Sequence, residues 1–138
     1  MNNEEFKTNR HSIYNLKYHL VVITKYRHKC INQEILDDVN EIFKNLIEGK
    51  SGTVLEFNGE PDHIHLLFEV PPQVEPAKLV NTLKTVSSRL IRKKHSEYLK
   101  KYYWKPVFWS RSYCILTTGG ATIEIIEKYI RSQAGVKD

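Results

Sequence analysis

The sequence predicts an α+β fold, in which an antiparallel sheet of four strands carries helices on one face and a further helix follows at the C-terminal end. Short segments rich in β-branched and aromatic residues alternate between polar and apolar, which is typical of strands. Two longer segments repeat their apolar residues at helical spacing, and turn-forming residues separate these segments. A chain of 138 residues suits a single domain over residues 1–138.

The first half of the chain predicts a strand, a helix and a second strand. Residues 14–26 alternate between apolar and polar side chains, as a half-buried strand does. Asn32 is a favourable N-cap for the helix that follows, and Gly49 is a natural stop for it. Residues 53–57 predict the second strand, and residues 58–62 supply turn chemistry.

The second half predicts a strand, a helix, a strand and a last helix. Residues 63–70 form the third strand, and Pro76 opens a helix because proline is tolerated in a first helical turn. We interpret residues 96–110 as a helix end and a loop, residues 113–118 as the fourth strand, and residues 122–134 as the last helix. The βαββαβ order is that of the ferredoxin-like (RRM-like) fold, which hosts many activities.

Composition favours a soluble protein that meets polyanions. The formal net charge is +5 at pH 7, and a basic surface attracts phosphates before specific contacts form. Cys30 and Cys114 lie far apart without a CxxC pair, so we expect reduced thiols rather than a zinc ribbon or disulfides. No stretch is apolar enough for a signal sequence or a membrane span, so we expect a cytoplasmic protein without membrane association.

Two histidines on the third strand are candidate metal ligands. Alternation places His63 and His65 on one face of the strand and Ile64 on the other. Imidazole suits several divalent transition metals, whereas magnesium prefers oxygen. The pair could equally be sheet-face histidines without a ligand. Asp62 could orient an imidazole as a hydrogen-bond acceptor, or could be a plain turn residue.

The last helix carries a candidate nucleophile. Tyr129 and Gln133 are four residues apart, so their side chains lie on the same side of the helix, at the edge of its apolar stripe. Ordinary boundary packing would explain both residues. Alternatively, the Gln133 carbonyl oxygen could complete a His-His-Gln metal set and bring the Tyr129 hydroxyl beside the cation. A tyrosine with a pKa near ~10 needs such electrostatic help to attack at neutral pH.

A basic and aromatic segment covers the second helix and the residues after it. Cationic side chains follow a phosphate backbone, and aromatic rings stack on unpaired bases. A solvated helix face followed by an aromatic loop that packs on the core would also fit. The candidate DNA-binding residues are Lys84, Arg89, Arg92, Lys93, Trp109 and Arg111.

Four segments together resemble one known family. They are residues 18–31 (YHLVVITKYRHKCI), 61–70 (PDHIHLLFEV), 83–95 (LKTVSSRLIRKKH) and 108–133, which begins FWSRSYCILTTGG and ends IEKYIRSQ. In order and spacing they resemble the small HUH-type, single-tyrosine transposases of IS200-like insertion sequences, which move as single-stranded DNA. HxH on a third strand with YxxxQ on a C-terminal helix is a specific combination.

The resemblance implies a role for each matching residue. His63 and His65 correspond to the HUH pair, Gln133 to the third metal ligand and Tyr129 to the nucleophile, with Mg²⁺ or Mn²⁺ as the cofactor. Family members act as homodimers with composite sites, in which the C-terminal helix is mobile or exchanged between protomers. Gly119-Gly120 is placed as the hinge for that exchange, although a double glycine after a strand is often just a turn.

The resemblance also implies the reaction: metal-assisted cutting and rejoining of single-stranded DNA through a 5′-phosphotyrosine, with recognition of hairpins at element ends. No nucleotide cofactor is expected, because the sequence lacks a phosphate-binding GxxxxGK[ST] loop. The protein would then work at the nucleoid of a prokaryote. Three alternatives stay open: a non-catalytic single-stranded nucleic-acid-binding module, a domesticated relative acting on chromosomal repeats, and an RNA-cleaving enzyme with a His/Tyr acid-base pair.

Overall fold

The computed structural model describes residues 6–8, 13–118 and 123–133. The strands are β1 (Lys7–Thr8), β2 (Ile13–Tyr14), β3 (Lys17–Thr24), β4 (Thr53–Glu60), β5 (His63–Glu69) and β6 (Trp109–Thr117). The helices are α1 (Gln33–Glu48), α2 (Pro76–Lys94), α3 (Ser96–Leu99) and α4 (Ile123–Ser132), and a single 3₁₀ turn covers Lys25–Arg27.

The main sheet has four strands in the order β4-β5-β3-β6, and every neighbouring pair is antiparallel. With the helices α1 and α2 between the strands, this is the order of a split βαβ, ferredoxin-like sheet. The predicted fold class is therefore confirmed. The short strands β1 and β2 form a separate two-stranded hairpin that the sequence pattern did not indicate.

Helix α1 follows its sequence signals closely. The Asn32 side chain accepts a hydrogen bond from the Ile35 backbone N–H at 2.8 Å, which satisfies one of the free donors of the first turn. The buried residues of α1 recur at helical spacing and pack, with those of α2, against one face of the sheet. They are Ile35, Val39, Phe43 and Ile47.

The two faces of the sheet are covered by different helices. On β3, Leu20 and Val22 point into the core beneath α1 and α2, whereas Val21 and Ile23 point to the opposite face and pack against Ile126 of α4. The alternation predicted for this strand is therefore present. The second face is the one that carries the candidate chemistry, because Val21 pairs with His65 and Ile23 with His63.

Strand β4 is longer than the sequence indicated. Residues 58–60 were expected in a turn, but they pair with residues 63–65 and only Pro61 and Asp62 turn the chain. The reason is the packing of Gly59: a Cβ there would run into the Leu36 side chain of α1. The glycine therefore permits a close approach of helix to strand rather than a turn.

The other boundaries differ in a similar way. Strand β6 begins at Trp109, four residues before the expected start at residue 113, and Trp109 pairs with Thr24 across a register shift in β3.

The expected hinge, Gly119-Gly120, lies outside the described residues, as do both ends of the predicted helix 122–134. None of the helices in the described part of the chain combines the length and apolar character needed to cross a bilayer.

Candidate active site and nucleic-acid interface

His63 and His65 project from β5 onto the face of the sheet that α4 covers. Both side chains are half-buried, and Ile64 between them is fully buried on the other face. The predicted arrangement of the two imidazoles on one face is therefore present. The two imidazoles contact different residues.

His63 is held by Asp62, the residue that precedes it. Its Nδ1 lies 2.8 Å from Asp62 Oδ1, so the ring donates from Nδ1, and in the neutral tautomer that this bond selects the lone pair is on Nε2. Burial alone would raise the pKa of Asp62, but hydrogen bonds from His63 and Arg27 and the nearby guanidinium charge outweigh it and hold that pKa below its usual value. Asp62 is therefore an anion that fixes the orientation of His63.

Arg27 joins the histidine strand to the tyrosine helix. Its Nε and Nη2 donate to Asp62 Oδ2 at 3.1 and 2.9 Å, and its Nη1 donates to the backbone oxygen of Ile130 at 3.0 Å. Tyr26 and Arg27 both have left-handed backbone conformations, with φ of 58° and 54°. Two consecutive non-glycine residues in that region are strained, so the surrounding contacts must hold them there.

His65 contacts a histidine that the sequence analysis did not single out. His19 Nδ1 lies 2.9 Å from His65 Nε2, and the two rings are nearly parallel with centroids 5.1 Å apart. Burial, followed by the charge of His19, lowers the pKa of His65 and favours its neutral form. His19 has the same strand parity as Val21 and Ile23, but its nearness to His65 depends on the pairing of β3 with β5.

Tyr129 and Gln133 meet at one serine of β6. The Ser112 hydroxyl donates to Gln133 Oε1 at 3.0 Å, and the Tyr129 hydroxyl lies 3.1 Å from Ser112 Oγ. Because serine has a single proton, Tyr129 is the donor in the second bond. Ser112 was also missed from the sequence. Strand β3 separates β6 from β5, so the backbones that carry Ser112 and the histidines are about 10 Å apart.

The predicted DNA-binding residues divide between two surfaces. Lys84, Arg92 and Arg111 line one groove of about 420 Å³ between α2 and the start of β6. The Lys84 ammonium also donates to the Ser110 and Arg111 carbonyls at 2.6 and 3.0 Å, which ties the helix to the strand. Lys93 lies instead in a groove between α1 and α2, and Arg89 is exposed on α2.

Trp109 is mostly enclosed by the core. Its ring is only 7% exposed, it packs against Phe43 and Phe108, and its indole N–H donates to Ser87 Oγ at 2.9 Å. Little of the ring is left for stacking on a base, but Trp109 also lines the groove of Lys84, Arg92 and Arg111, and its contact with DNA stays a prediction. The sequence of residues 96–110 did not indicate which of its aromatic rings enters the core.

Comparisons with known proteins identify the family. The family model described as "Transposase IS200 like" matches residues 12–133. The ISDra2 transposase TnpA of Deinococcus radiodurans is 36% identical over 129 residues, which cover 94% of this chain and 91% of the relative. The chain belongs to the IS200-like transposase family. The predicted transposase is thereby confirmed.

Further relatives agree with this assignment of an IS200-like transposase. The IS200 transposase of Salmonella typhimurium is 35% identical over 92% of this chain and 82% of the relative. A crystal structure of a Deinococcus radiodurans protein assigned as a transposase superposes with a TM-score of 0.84, at 32% identity over 94% of this chain and 99% of the other. A REP-associated tyrosine transposase bound to a REP hairpin shares the fold, with a TM-score of 0.54 at 10% identity over 90% and 67% of the two chains.

The residues of this transposase fit a divalent cation in type and only partly in arrangement. His63 Nε2 is available, but His65 Nε2 faces His19 and Gln133 Oε1 accepts from Ser112. Within the described ranges, no three His, Cys, Asp or Glu side chains are grouped closely enough to hold a metal ion. Two imidazole nitrogens and one amide oxygen suit Mn²⁺ better than Mg²⁺, which needs further oxygen ligands.

Proposed function

We propose that this transposase cuts and rejoins single-stranded DNA by transesterification, with Tyr129 as the nucleophile. The Tyr129 hydroxyl gives its proton to solvent as its oxygen attacks the scissile phosphorus, and the bond to the 3′-oxygen breaks. The 3′-oxygen takes up a proton from solvent and leaves as a hydroxyl, so the step consumes no net proton. A 5′-phosphotyrosine then keeps the phosphodiester energy until another 3′-hydroxyl reverses the step. No ATP is needed. The observation that supports this most is Arg27, which contacts both Asp62, beside His63, and Ile130, beside Tyr129.

His63, His65 and Gln133 are the residues that would hold a Mg²⁺ or Mn²⁺ ion. When bound, the cation supplies charge neutralisation at the scissile phosphate. The protein's own part is to orient the imidazoles and to keep His65 neutral. Asp62 holds the proton of His63 on Nδ1, and burial favours the neutral form of His65.

We propose that the tyrosine moves before it reacts. In the described arrangement Tyr129 and Gln133 are both bonded to Ser112 on β6, two strands from His63. We propose that these bonds break and that helix α4 swings about Gly119-Gly120, to serve the histidines of its own chain or of a second copy. The second route gives a homodimer of single-domain chains with composite active sites.

Folded DNA is the proposed docking element. The groove lined by Lys84, Arg92 and Arg111 would contact the phosphates of a hairpin at an element end, within the nucleoid of a prokaryote. The distantly similar REP-associated transposase is bound to a REP hairpin. Whether the substrate belongs to a mobile element or to chromosomal repeats depends on the DNA beside the gene.

An adduct assay tests the reaction. Wild-type protein is incubated with hairpin-bearing single-stranded DNA and Mg²⁺ or Mn²⁺, and the products are separated in SDS. We expect a covalent protein–DNA adduct that disappears in Tyr129→Phe, in the His63→Ala/His65→Ala double variant and in EDTA. Tyr98→Phe, which removes a hydroxyl from α3, is the matched control and should form the adduct normally.

Other outcomes separate the alternatives. An adduct in Tyr129→Phe would show that another residue is the nucleophile. Binding without any adduct would indicate a non-catalytic module, and adduct-free cleavage of RNA in EDTA would indicate an acid–base ribonuclease.

A further inference from the structure

Trp104 is an exposed indole in the loop between α3 and β6. Its side chain is 88% exposed, whereas Trp109, five positions later, is 7% exposed. A single exposed apolar side chain is common on protein surfaces, so exposure alone assigns no role to Trp104. A tryptophan does present a large, rigid aromatic face, and its surroundings decide which partner that face suits.

The surroundings of Trp104 are cationic. A groove of about 260 Å³ beside it is lined in part by Arg92, Lys100 and Lys105, and Lys105 Nζ lies 5.5 Å from the centre of the indole. Arg92 also lines the larger groove of Lys84 and Arg111. Among the described residues, no carboxylate lines either groove, whereas Asp38 and Glu41 line the groove between α1 and α2. This charge pattern fits a polyanion.

The same surface adjoins the histidine site. Lys105 Nζ lies 5.3 Å from the centre of the Tyr26 ring, and Tyr26 immediately precedes Arg27, which contacts Asp62. Trp104 is therefore next to the basic groove on one side and to the segment that supports His63 on the other. A DNA strand that leaves the groove toward the active site would pass it.

We propose that Trp104 stacks on an unpaired base of single-stranded DNA, while Arg92 and Lys105 contact the phosphates on either side. The proposal rests on the proposed function and adds a contact to it: a base-stacking position in the single strand that flanks the hairpin. An indole face accepts any base, so this contact selects unpaired over paired nucleotides rather than one sequence. Paired bases keep their faces covered by their neighbours.

The test separates the contribution of base stacking to DNA affinity from that of phosphate contacts. The affinities of wild type, Trp104→Ala and Trp104→Phe are measured for a hairpin with a thymine flank and for the same hairpin with an abasic flank. We expect Trp104→Ala to weaken binding to the thymine flank by about tenfold and binding to the abasic flank hardly at all. Trp104→Phe, which keeps an aromatic ring, should lose less. Lys44→Ala, an exposed change on α1, is the control and should bind both as wild type does.

Tryptophan fluorescence gives an independent signal. The thymine flank should quench wild-type emission, and Trp104→Phe should lose the quenching because the remaining Trp109 is buried. Equal weakening on both flanks, unchanged binding by Trp104→Ala, or quenching that survives in Trp104→Phe would overturn the proposal. So would a change in oligomeric mass in Trp104→Ala, which would assign the surface to a second copy of the chain.

The proposed function can fail separately. Wild type that neither binds DNA nor forms the adduct would remove the basis of both proposals. Wild type that forms the adduct while Trp104→Ala binds the thymine flank normally would remove only the stacking contact.

Discussion

The two faces of the sheet are built for different purposes. Among the described residues, twenty buried side chains beneath α1 and α2 form one apolar cluster, whereas the buried cluster beneath α4 consists of Val21, Ile23 and Ile126. At about 1.5–3 kcal/mol for each fully buried aliphatic side chain, the three residues of the second cluster contribute roughly 5–9 kcal/mol, and the twenty of the first contribute several times as much. The first face therefore carries the stability of the fold, and the second carries the histidines and the tyrosine.

The difference indicates how the helix that carries the proposed nucleophile can move. Helix α4 is held by a small apolar contact, by Arg27 on the Ile130 carbonyl and by Ser112 on Tyr129 and Gln133. Elements with few buried apolar contacts open at low free energy while the rest of a protein stays folded. We expect α4 to be such an element.

The largest effect should come from the core face. Phe43 is fully buried and packs against Phe57 and Trp109. Phe43→Ala should lower the free energy of unfolding by about 3–5 kcal/mol because it leaves a cavity, as measured by denaturant titration. The control Leu90→Ala, at a position 37% exposed on α2, should cost far less. A small loss for Phe43→Ala would mean that this face is not the stable one.

Arg27→Ala should lower the free energy of unfolding by roughly 2 kcal/mol, because it removes the guanidinium that satisfies the nearly buried Asp62 carboxylate. Amide hydrogen exchange in α4 should also rise. Arg27→Lys should restore part of the stability but not the slow exchange, since one ammonium cannot reproduce the fork that reaches both Asp62 and Ile130. Unchanged exchange in both variants would show that Arg27 does not hold α4.

A matched pair of isoleucines compares the faces directly. Ile35→Ala in α1 should cost about 2–5 kcal/mol, whereas Ile126→Ala in α4 should cost about 1 kcal/mol, because α4 can detach instead of enclosing a cavity. Equilibrium unfolding measures the first, and hydrogen exchange of α4 amides measures the second. Equal losses would show that α4 unfolds together with the core.

The smallest expected effect concerns the reactivity of the two cysteine thiols. Burial raises the pKa of Cys30 to about 11, and it also raises the pKa of the half-buried Cys114 beneath α4. At mildly alkaline pH, an alkylating reagent should therefore modify Cys114 slowly and Cys30 hardly at all. Arg27→Ala should speed only Cys114, as followed by peptide mass spectrometry. Faster labelling of Cys30 in this variant would indicate general unfolding.

The parts of the molecule that could be predicted from the sequence are those that depend on local chemistry. Asn32 caps α1 as expected, because a cap involves residues three apart. His63 and His65 share a face because strand parity is a local property. Tyr129 and Gln133 both reach Ser112 because residues four apart on a helix lie side by side.

The remaining parts depend on which strands become neighbours. His19 meets His65, and Ser112 meets the last helix, only after β3, β5 and β6 have paired in register. Gly59 reads as a turn residue until α1 packs against it. Trp104 and Trp109 lie in a segment without periodicity, so nothing local distinguishes the exposed ring from the buried one.

The bond from Arg27 to α4 ends on a main-chain atom. A backbone carbonyl is the same whichever copy of the chain provides it. The Arg27 guanidinium can therefore bind α4 of its own chain or α4 of a second copy equally well. This exchange of one α4 helix for another does not depend on the side chain at position 130. If two chains exchange α4, the helix of one chain can take the place of the other's at the same Arg27 guanidinium.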